Sequence, residues 1–224
     1  MPGHYIDVPV SGTAVTDSLR KVFILRPGDS AQDISIEARA GSVTDITLVI
    51  LPGVSADLTV NVDFTGEGAS LRLAGLYVCG SSEKVSVRTV VRHRVPFCTS
   101  DQIFTGIAGG TSRVSFNGTI IVAPGAQKTE AYQQSRNILL SRDAKVSTEP
   151  QLEIYADDVK CSHGATAGSL SEDELFYMRS RGIPESEAKV LQLISFLSPV
   201  LASLPDPDAV ASELEAAIRS IVQR

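Results

Sequence analysis

Asp57-Leu58-Thr59-Val60-Asn61-Val62-Asp63-Phe64 is the stretch on which the fold turns. Leu58, Val60, Val62 and Phe64 alternate strictly with Asp57, Thr59, Asn61 and Asp63. Successive side chains of an extended strand point to opposite faces, so this pattern describes a strand with one apolar and one polar face. The pattern returns at Val85 and Val87, and again at Val114, Phe116, Ile120 and Val122. Turn residues punctuate the series at Pro27-Gly28, Pro52-Gly53, Gly66-Glu67-Gly68, Gly109-Gly110 and Pro124-Gly125. Many short strands with regular turns describe a sandwich, a barrel or a β-helix, and periodicity alone does not choose among them. No strict short repeat is visible, so a β-helix here would be an irregular one.

Composition limits the function. Among 224 residues, hydrophobic residues are 43%, aromatics are 5% and Trp is absent. The core therefore rests on Val, Ile, Leu and Ala, a mixture that suits strands. The net charge is −6 and no basic stripe is visible, which argues against nucleic acid as a partner. Arg20-Lys21 and Arg92-His93-Arg94 read as solvated faces among apolar strand residues. No apolar run is long enough to span a bilayer, and Met1 to Gly12 lacks the pattern of a secretory leader. Cys79, Cys98 and Cys161 are too few and too widely spaced for a disulfide framework. A reduced, cytoplasmic setting is expected. No P-loop, HExxH or GxSxG motif occurs, and the three histidines, His4, His93 and His163, do not lie at zinc-finger spacing with the cysteines. The reading is of a protein that is not itself an enzyme, so any ATPase would be another chain.

Near residue 170 the periodicity changes. Ser171-Glu172-Asp173-Glu174 is a capping box, in which the Ser hydroxyl and the Glu carboxylate each satisfy a free backbone N–H. Leu175, Phe176 and Met178 follow; Gly182 is a stop, and Pro184 suits the first turn of a second helix. That helix carries Ala188, Leu191, Ile194 and Leu197 on one stripe. Asp206-Pro207 opens a third, with Val210, Leu214, Ile218 and Ile221 at helical spacing. The expected organisation is a β core over residues 1–168 and a helical domain over 169–224, with the core able to fold without residues 184–224.

Chemistry concentrates in residues 151–166. Leu152 and Ile154 share one parity, whereas Val159, Cys161 and His163 share the other, so a bend is expected at Asp157-Asp158. On an extended strand Cys161 and His163 face the same way, with Cα atoms ~6.5–7 Å apart, two strand rises. A thiolate and an imidazole on one face form a soft-metal pair. An iron–sulfur cluster needs ~four ligands, which a two-fold dimer would supply from two such edges. The competing reading is a small buried cysteine beside a structural histidine. A Cys–His nucleophile lacks an orienting third group. A polysaccharide-cleaving site needs paired carboxylates, and Asp157 and Asp158, being adjacent, would face opposite sides of a strand.

These residues carry a resemblance. Asp157-Asp158-Val159-Lys160-Cys161-Ser162-His163-Gly164-Ala165-Thr166, then Gly168, resemble the C-terminal motif of the SufB/SufD family in its SufD-like form. Leu175-Phe176-Tyr177 and Arg179-Ser180-Arg181-Gly182-Ile183 resemble the family's following helix. Upstream, Phe116-Asn117-Gly118-Thr119-Ile120, Ala126-Gln127-Lys128-Thr129, Gln134, Asn137-Ile138-Leu139-Leu140-Ser141 and Pro150-Gln151-Leu152-Glu153-Ile154 fit in order. Ser135 stands where SufB-type scaffolds carry a cysteine, and His163 where they carry a glutamate. The long N-terminal region of typical members, with its SufB-type cysteine cluster, has no counterpart in these residues.

The resemblance implies a mainly β fold, a right-handed parallel β-helix core with a C-terminal α-helical domain. It implies a scaffold or adaptor of SUF iron–sulfur cluster assembly that works as a homodimer or with a SufB-type scaffold. A SufC-type ABC ATPase would dock on the helical region, at Phe176, Tyr177, Arg179, Arg181 and Gly182. Cys161 and His163 would lie at the scaffold interface as ligands of a transient iron–sulfur cluster. A purely structural SufD-type adaptor is the alternative. If the backbone after His163 needs an unusual conformation, Gly164→Val should hurt folding.

Overall fold

The computed structural model describes residues 5–6, 12–29 and 32–223; His4 lies outside them. In chain order the strands are β1(Tyr5–Ile6), β2(Gly12–Leu25), β3(Gln32–Ile50), β4(Ala56–Phe64), β5(Ser70–Cys79), β6(Lys84–His93), β7(Thr99–Ala108), β8(Arg113–Val122), β9(Glu130–Leu139), β10(Lys145–Ile154) and β11(Lys160–Gly168). Helices α1(Glu172–Ser180), α2(Glu185–Leu201) and α3(Asp208–Val222) follow. Every ladder is parallel, and the strand order is β10-β8-β6-β4-β3-β5-β7-β9-β11.

That order resolves the ambiguity of the alternating pattern. The chain lays β4 on one sheet, crosses to β5 on the other and returns to β6 beside β4, so the fold is a parallel β-solenoid. β3 passes through both sheets: Gln32–Ala38 pair with β4, and Val43–Ile50 pair with β5. Between those stretches Gly41 sits at φ +64°, in the left-handed region that glycine adopts without steric cost. Corner residues one rung apart are separated by 29 (Ser55 and Lys84), 30 (Arg113 and Asp143) or 31 residues (Gln127 and Asp158). The repeat is therefore one of length and parity, not of residue identity.

The interior is filled by the inward parity of both sheets, including Leu58, Val60, Val62, Phe64, Leu73, Tyr77, Val87, Phe104 and Phe116. Large and small residues interlock between rungs. Gly75 pairs with Phe104, and Tyr77 with Gly106. A Cβ on Gly106 would lie 1.9 Å from the Tyr77 ring, and one on Gly75 would lie 2.3 Å from Phe104. His93 belongs to this interior rather than to a solvated face. It is fully buried, stacked on Phe64 at 4.4 Å, with Nε2 2.9 Å from Ser100 Oγ. Desolvation pushes its pKa down to about 4. Only its neighbours face outward, where Arg92 and Arg94 share Asp63 at 3.7 and 2.7 Å.

The second sheet is buried on both faces only along the C-terminal halves of its inner strands. Val49, Ala74, Leu76, Val78 and Ile107 point outward and pack against α2 and α3 in one apolar cluster. The buried stripe of α2 is Ala188, Val190, Leu193, Leu197 and Val200, whereas Leu191 is exposed and Ile194 half-buried. The expected stripe was thus rotated on the helix, because the wide apolar run 190–201 allows more than one face. Val210, Leu214 and Ile218 of α3 are buried as their spacing predicts. At the start of α1, Glu174 N donates to Ser171 Oγ at 3.3 Å, half of the capping box. The other half comes from α2: Ser171 N donates to Gln192 Oε1 at 3.2 Å, and Gln192 Nε2 donates to Ser171 O at 3.1 Å. Among the described residues no helix is long and apolar enough to cross a membrane.

Candidate functional site

Among the described residues nothing caps the last rung of the solenoid. Inward positions of β4, β6 and β8 are buried, whereas no residue of β10 or β11 is. β10 pairs only with β8, and β11 only with β9, so both strands are edges. The bend expected at Asp157-Asp158 is the corner joining them. Lys128 N donates to Asp158 O at 2.6 Å, Asp158 N to Gln127 Oε1 at 2.9 Å, and Lys128 Nζ pairs with the Asp158 carboxylate. Lys160 Nζ pairs with Glu130 at 2.8 Å on the neighbouring strand.

Cys161 and His163 sit on the inward parity of β11, opposite Ala131 and Gln133 of the rung beneath. The two residues therefore share a face, as their spacing predicts. Their surroundings differ. Cys161 is half-buried against a cluster of Ile120, Val122, Ala126, Ala131 and Ala156. Burial pushes its thiol up, partly opposed by the backbone N–H of Ala131. His163 is exposed and borders a cavity of about 330 Å³ with Gln133, Ser135, Ser162 and Thr166. Ser135 is buried and accepts from Asn137 Nδ2 at 3.3 Å. Asn137 also donates to Thr166 O of β11 at 3.1 Å and accepts from Tyr77 OH.

Among the described residues no group of three or more His, Cys, Asp or Glu side chains could hold an ion. Cys161 and His163 offer two donors on one face of β11. The other thiols contribute none at this edge: Cys79 and Cys98 are free and buried, and burial, then Glu83, pushes Cys79 up to about 12. Gly164 departs from expectation. Its φ is not in the left-handed region, and a Cβ there would meet nothing within 4 Å. The backbone after His163 is ordinary strand, so the expected folding defect of Gly164→Val has no structural basis.

The helix residues singled out by sequence lie together on α1 and its exit. Leu175 alone of the helix is buried, while Phe176 is 73% and Tyr177 60% exposed. Arg181 lies over the Tyr177 ring at 5.3 Å, and Arg179 pairs with Glu185 at 3.5 Å. Gly182 takes φ +86°, with Gly182 N donating to Arg179 O and Ile183 N to Met178 O, the left-handed close of a helix. Phe176 and Tyr177 are thus exposed rings at adjacent positions of a short helix.

Sequence reasoning missed a polar cluster inside the apolar core. Thr89 Oγ1 donates to Gln102 Oε1 at 3.0 Å, and Gln133 Nε2 donates to the same oxygen at 3.3 Å. These residues hold inward positions, so strict parity was the available signal.

Known proteins carry the same core. Residues 30–196 match the family described as SUF system FeS cluster assembly, SufBD core domain. The chain is 38% identical over 157 residues to the iron-sulfur cluster assembly protein SufD of Escherichia coli, covering 70% of this chain and 37% of that protein. It is 33% identical over 139 residues to a SufBD family protein of Synechocystis (62% and 31% covered). It is 32% identical over 172 residues to the chloroplastic protein ABCI7 of Arabidopsis thaliana (76% and 36% covered). The chain thus spans about a third of the length of these relatives. The matched span runs from the strand that threads both sheets, through every later rung, into α2, and on that ground the chain belongs to the SufB/SufD family.

Proposed function

We propose that this chain is a scaffold or adaptor subunit of a SUF-type iron–sulfur cluster assembly complex. It dimerises through the open last rung, with itself or with a SufB-type scaffold, and docks a SufC-type ABC ATPase through α1. The observation that carries this reading is the uncapped rung bearing Cys161 and His163. Exposed edge strands invite pairing with another chain, and a two-fold axis across β10 and β11 would double the donors at one interface. Two thiolates and two imidazoles match the ~four ligands of a cluster. The cluster is cargo, assembled and passed on. The exposed Phe176 and Tyr177, with Arg179, Arg181 and Gly182, are the proposed ATPase contact. A reducing, cytoplasmic setting fits three unbridged cysteines.

A purely structural adaptor is favoured by a different observation. Burial disfavours the thiolate of Cys161, and thiolate is the form that ligates. The two readings separate in anaerobic protein purified with and without a SufC-type ATPase. Iron and sulfide near stoichiometry, lost in Cys161→Ala and in His163→Ala, establish the ligating scaffold. Colourless protein that still dimerises and retains the ATPase establishes the adaptor. A monomer that binds no ATPase overturns both.

A further inference from the structure

Parallel stacking aligns a column of cations at the strand starts, at the opposite end of β10 from the corner that leads to Cys161 and His163. Lys84, Arg113 and Lys145 open β6, β8 and β10, and they are register partners. Strand spacing puts their Cα atoms ~4.8 Å apart in a line across the sheet. All three are exposed. Two residues along, Ser86, Ser115 and Ser147 form a second column in the same register and on the same outward parity.

Like charges stacked directly opposite each other destabilise a sheet. Elsewhere on this protein such columns are neutralised: Arg20 and Arg72 share Asp45, Arg92 and Arg94 share Asp63, and Lys160 pairs with Glu130. Among the described residues Lys84, Arg113 and Lys145 have no carboxylate within ion-pair distance. Arg113 is held in place instead, because its Nη1 donates to Thr111 O, Ser112 O and Asp143 O at 2.7, 3.0 and 2.6 Å. The column lies in a groove of about 740 Å³ across the strand starts, lined also by Ser55 and the serine column, with Asp57 its one carboxylate. Ser147 donates to Glu149 at 3.5 Å, while among the described residues the Ser86 and Ser115 hydroxyls have no hydrogen-bond partner. The volume is that of a small-molecule site. Ammonium and guanidinium groups only donate, and hydroxyls can donate. The matching ligand is elongated, rich in anionic oxygen and oriented across the strands.

We infer that this groove binds a small linear polyanion of the polyphosphate type, free or as the phosphate chain of a nucleotide. The probes are inorganic tripolyphosphate and ATP, titrated into the full chain by calorimetry at about 0.15 M salt with EDTA. Saturable tripolyphosphate binding is expected. It should weaken about tenfold in Lys84→Gln and again in Lys145→Gln, one charge-assisted contact each, and remain unchanged in Arg39→Gln, an exposed cation outside the groove. Equal binding of ATP assigns the site to the phosphate chain alone, and tighter binding assigns it to a nucleotide. Absence of saturable binding by both probes, or equal weakening in all three variants, overturns the inference. Unchanged thermal midpoints keep a folding defect from being mistaken for lost binding.

Discussion

Glu83 should act as a pin between two stacked corners of the solenoid, and its removal tests how the rungs are held. Its residue surface is 7% exposed. The carboxylate accepts from Gly53 N at 3.1 Å, Gly80 N at 3.3 Å and Ser81 N at 2.7 Å. Gly53 belongs to one corner and Gly80-Ser81 to the next, so one side chain ties consecutive rungs. A hydrogen bond to a charged group contributes roughly 1.5–3 kcal/mol, and orphaned donors add their desolvation cost. One of the three contacts is long, and water reaches the corners in the variant. The expected cost of Glu83→Ala is therefore about 3 kcal/mol, and of Glu83→Gln about half that. Burial pushes the carboxyl up, but the N–H groups of Glu83 itself, Ser81, Gly53 and Gly80 outweigh it, leaving the group below its ordinary 4.5. A depressed folded value stabilises above the unfolded value and loses that contribution as pH falls through the folded one. Urea denaturation followed by circular dichroism between about pH 7 and pH 3 should show a constant gap between wild type and Glu83→Gln at neutral pH, narrowing below about 4.5. A gap that stays flat across this range, or Glu83→Ala within about 0.5 kcal/mol of wild type, would refute the reasoning.

Three further outcomes are expected. Gly106→Ala places a methyl 1.9 Å from the Tyr77 ring and should cost about 3 kcal/mol, at the upper end of overpacking. Adding Tyr77→Leu removes the clashing atoms, so the double variant should be more stable than Gly106→Ala alone; additive urea midpoints would show that the ring is not the obstacle. Gly164→Val should leave stability unchanged or slightly raised, because a strand glycine with open space gains from a β-branched side chain, and a large drop in melting temperature would contradict the described edge. Deleting residues 184–224 uncovers Val22, Ile24, Val49, Ala74, Leu76 and Val78, so the truncated chain should bind a hydrophobic dye and aggregate; a monomeric, cooperatively melting product would sink that view.

The β core was legible because one face of each strand must be apolar. Leu58, Val60, Val62 and Phe64 announce that face, and the structure buries all four. The solenoid itself was not legible from periodicity, since a sandwich needs the same alternation. What distinguishes the two is which strands pair, a long-range property that only the ordered resemblance supplied. The outward apolar residues of β5 were a further signal, in Ala74, Leu76 and Val78. A strand apolar on both faces calls for a covering layer, and α2 and α3 provide it. This demand is the reason the chain lacking residues 184–224 is expected to aggregate rather than keep a folded core. At the site, parity correctly put Cys161 and His163 on one face but gave no hint of the thiol's surroundings. Those come from Ile120 and Ala126, residues distant in sequence.

The loss of burial toward the last rung links stability to assembly. Each inner rung is sandwiched, so its ladder pairs on both sides and its inward side chains are buried. β10 and β11 have a neighbour on one side only, yet they carry Leu152, Ile154 and Cys161 on the inward parity. In the isolated chain those side chains are only partly covered, and unpaired strand edges are a template for pairing with another chain. A cap made from this chain's own helices would have removed the problem, but α2 and α3 are committed to the outer face of the second sheet. In the proposed function this end is covered by a second scaffold chain. Whatever covers it meets Cys161 and His163 at the same time, so association and access to these two side chains cannot be separated.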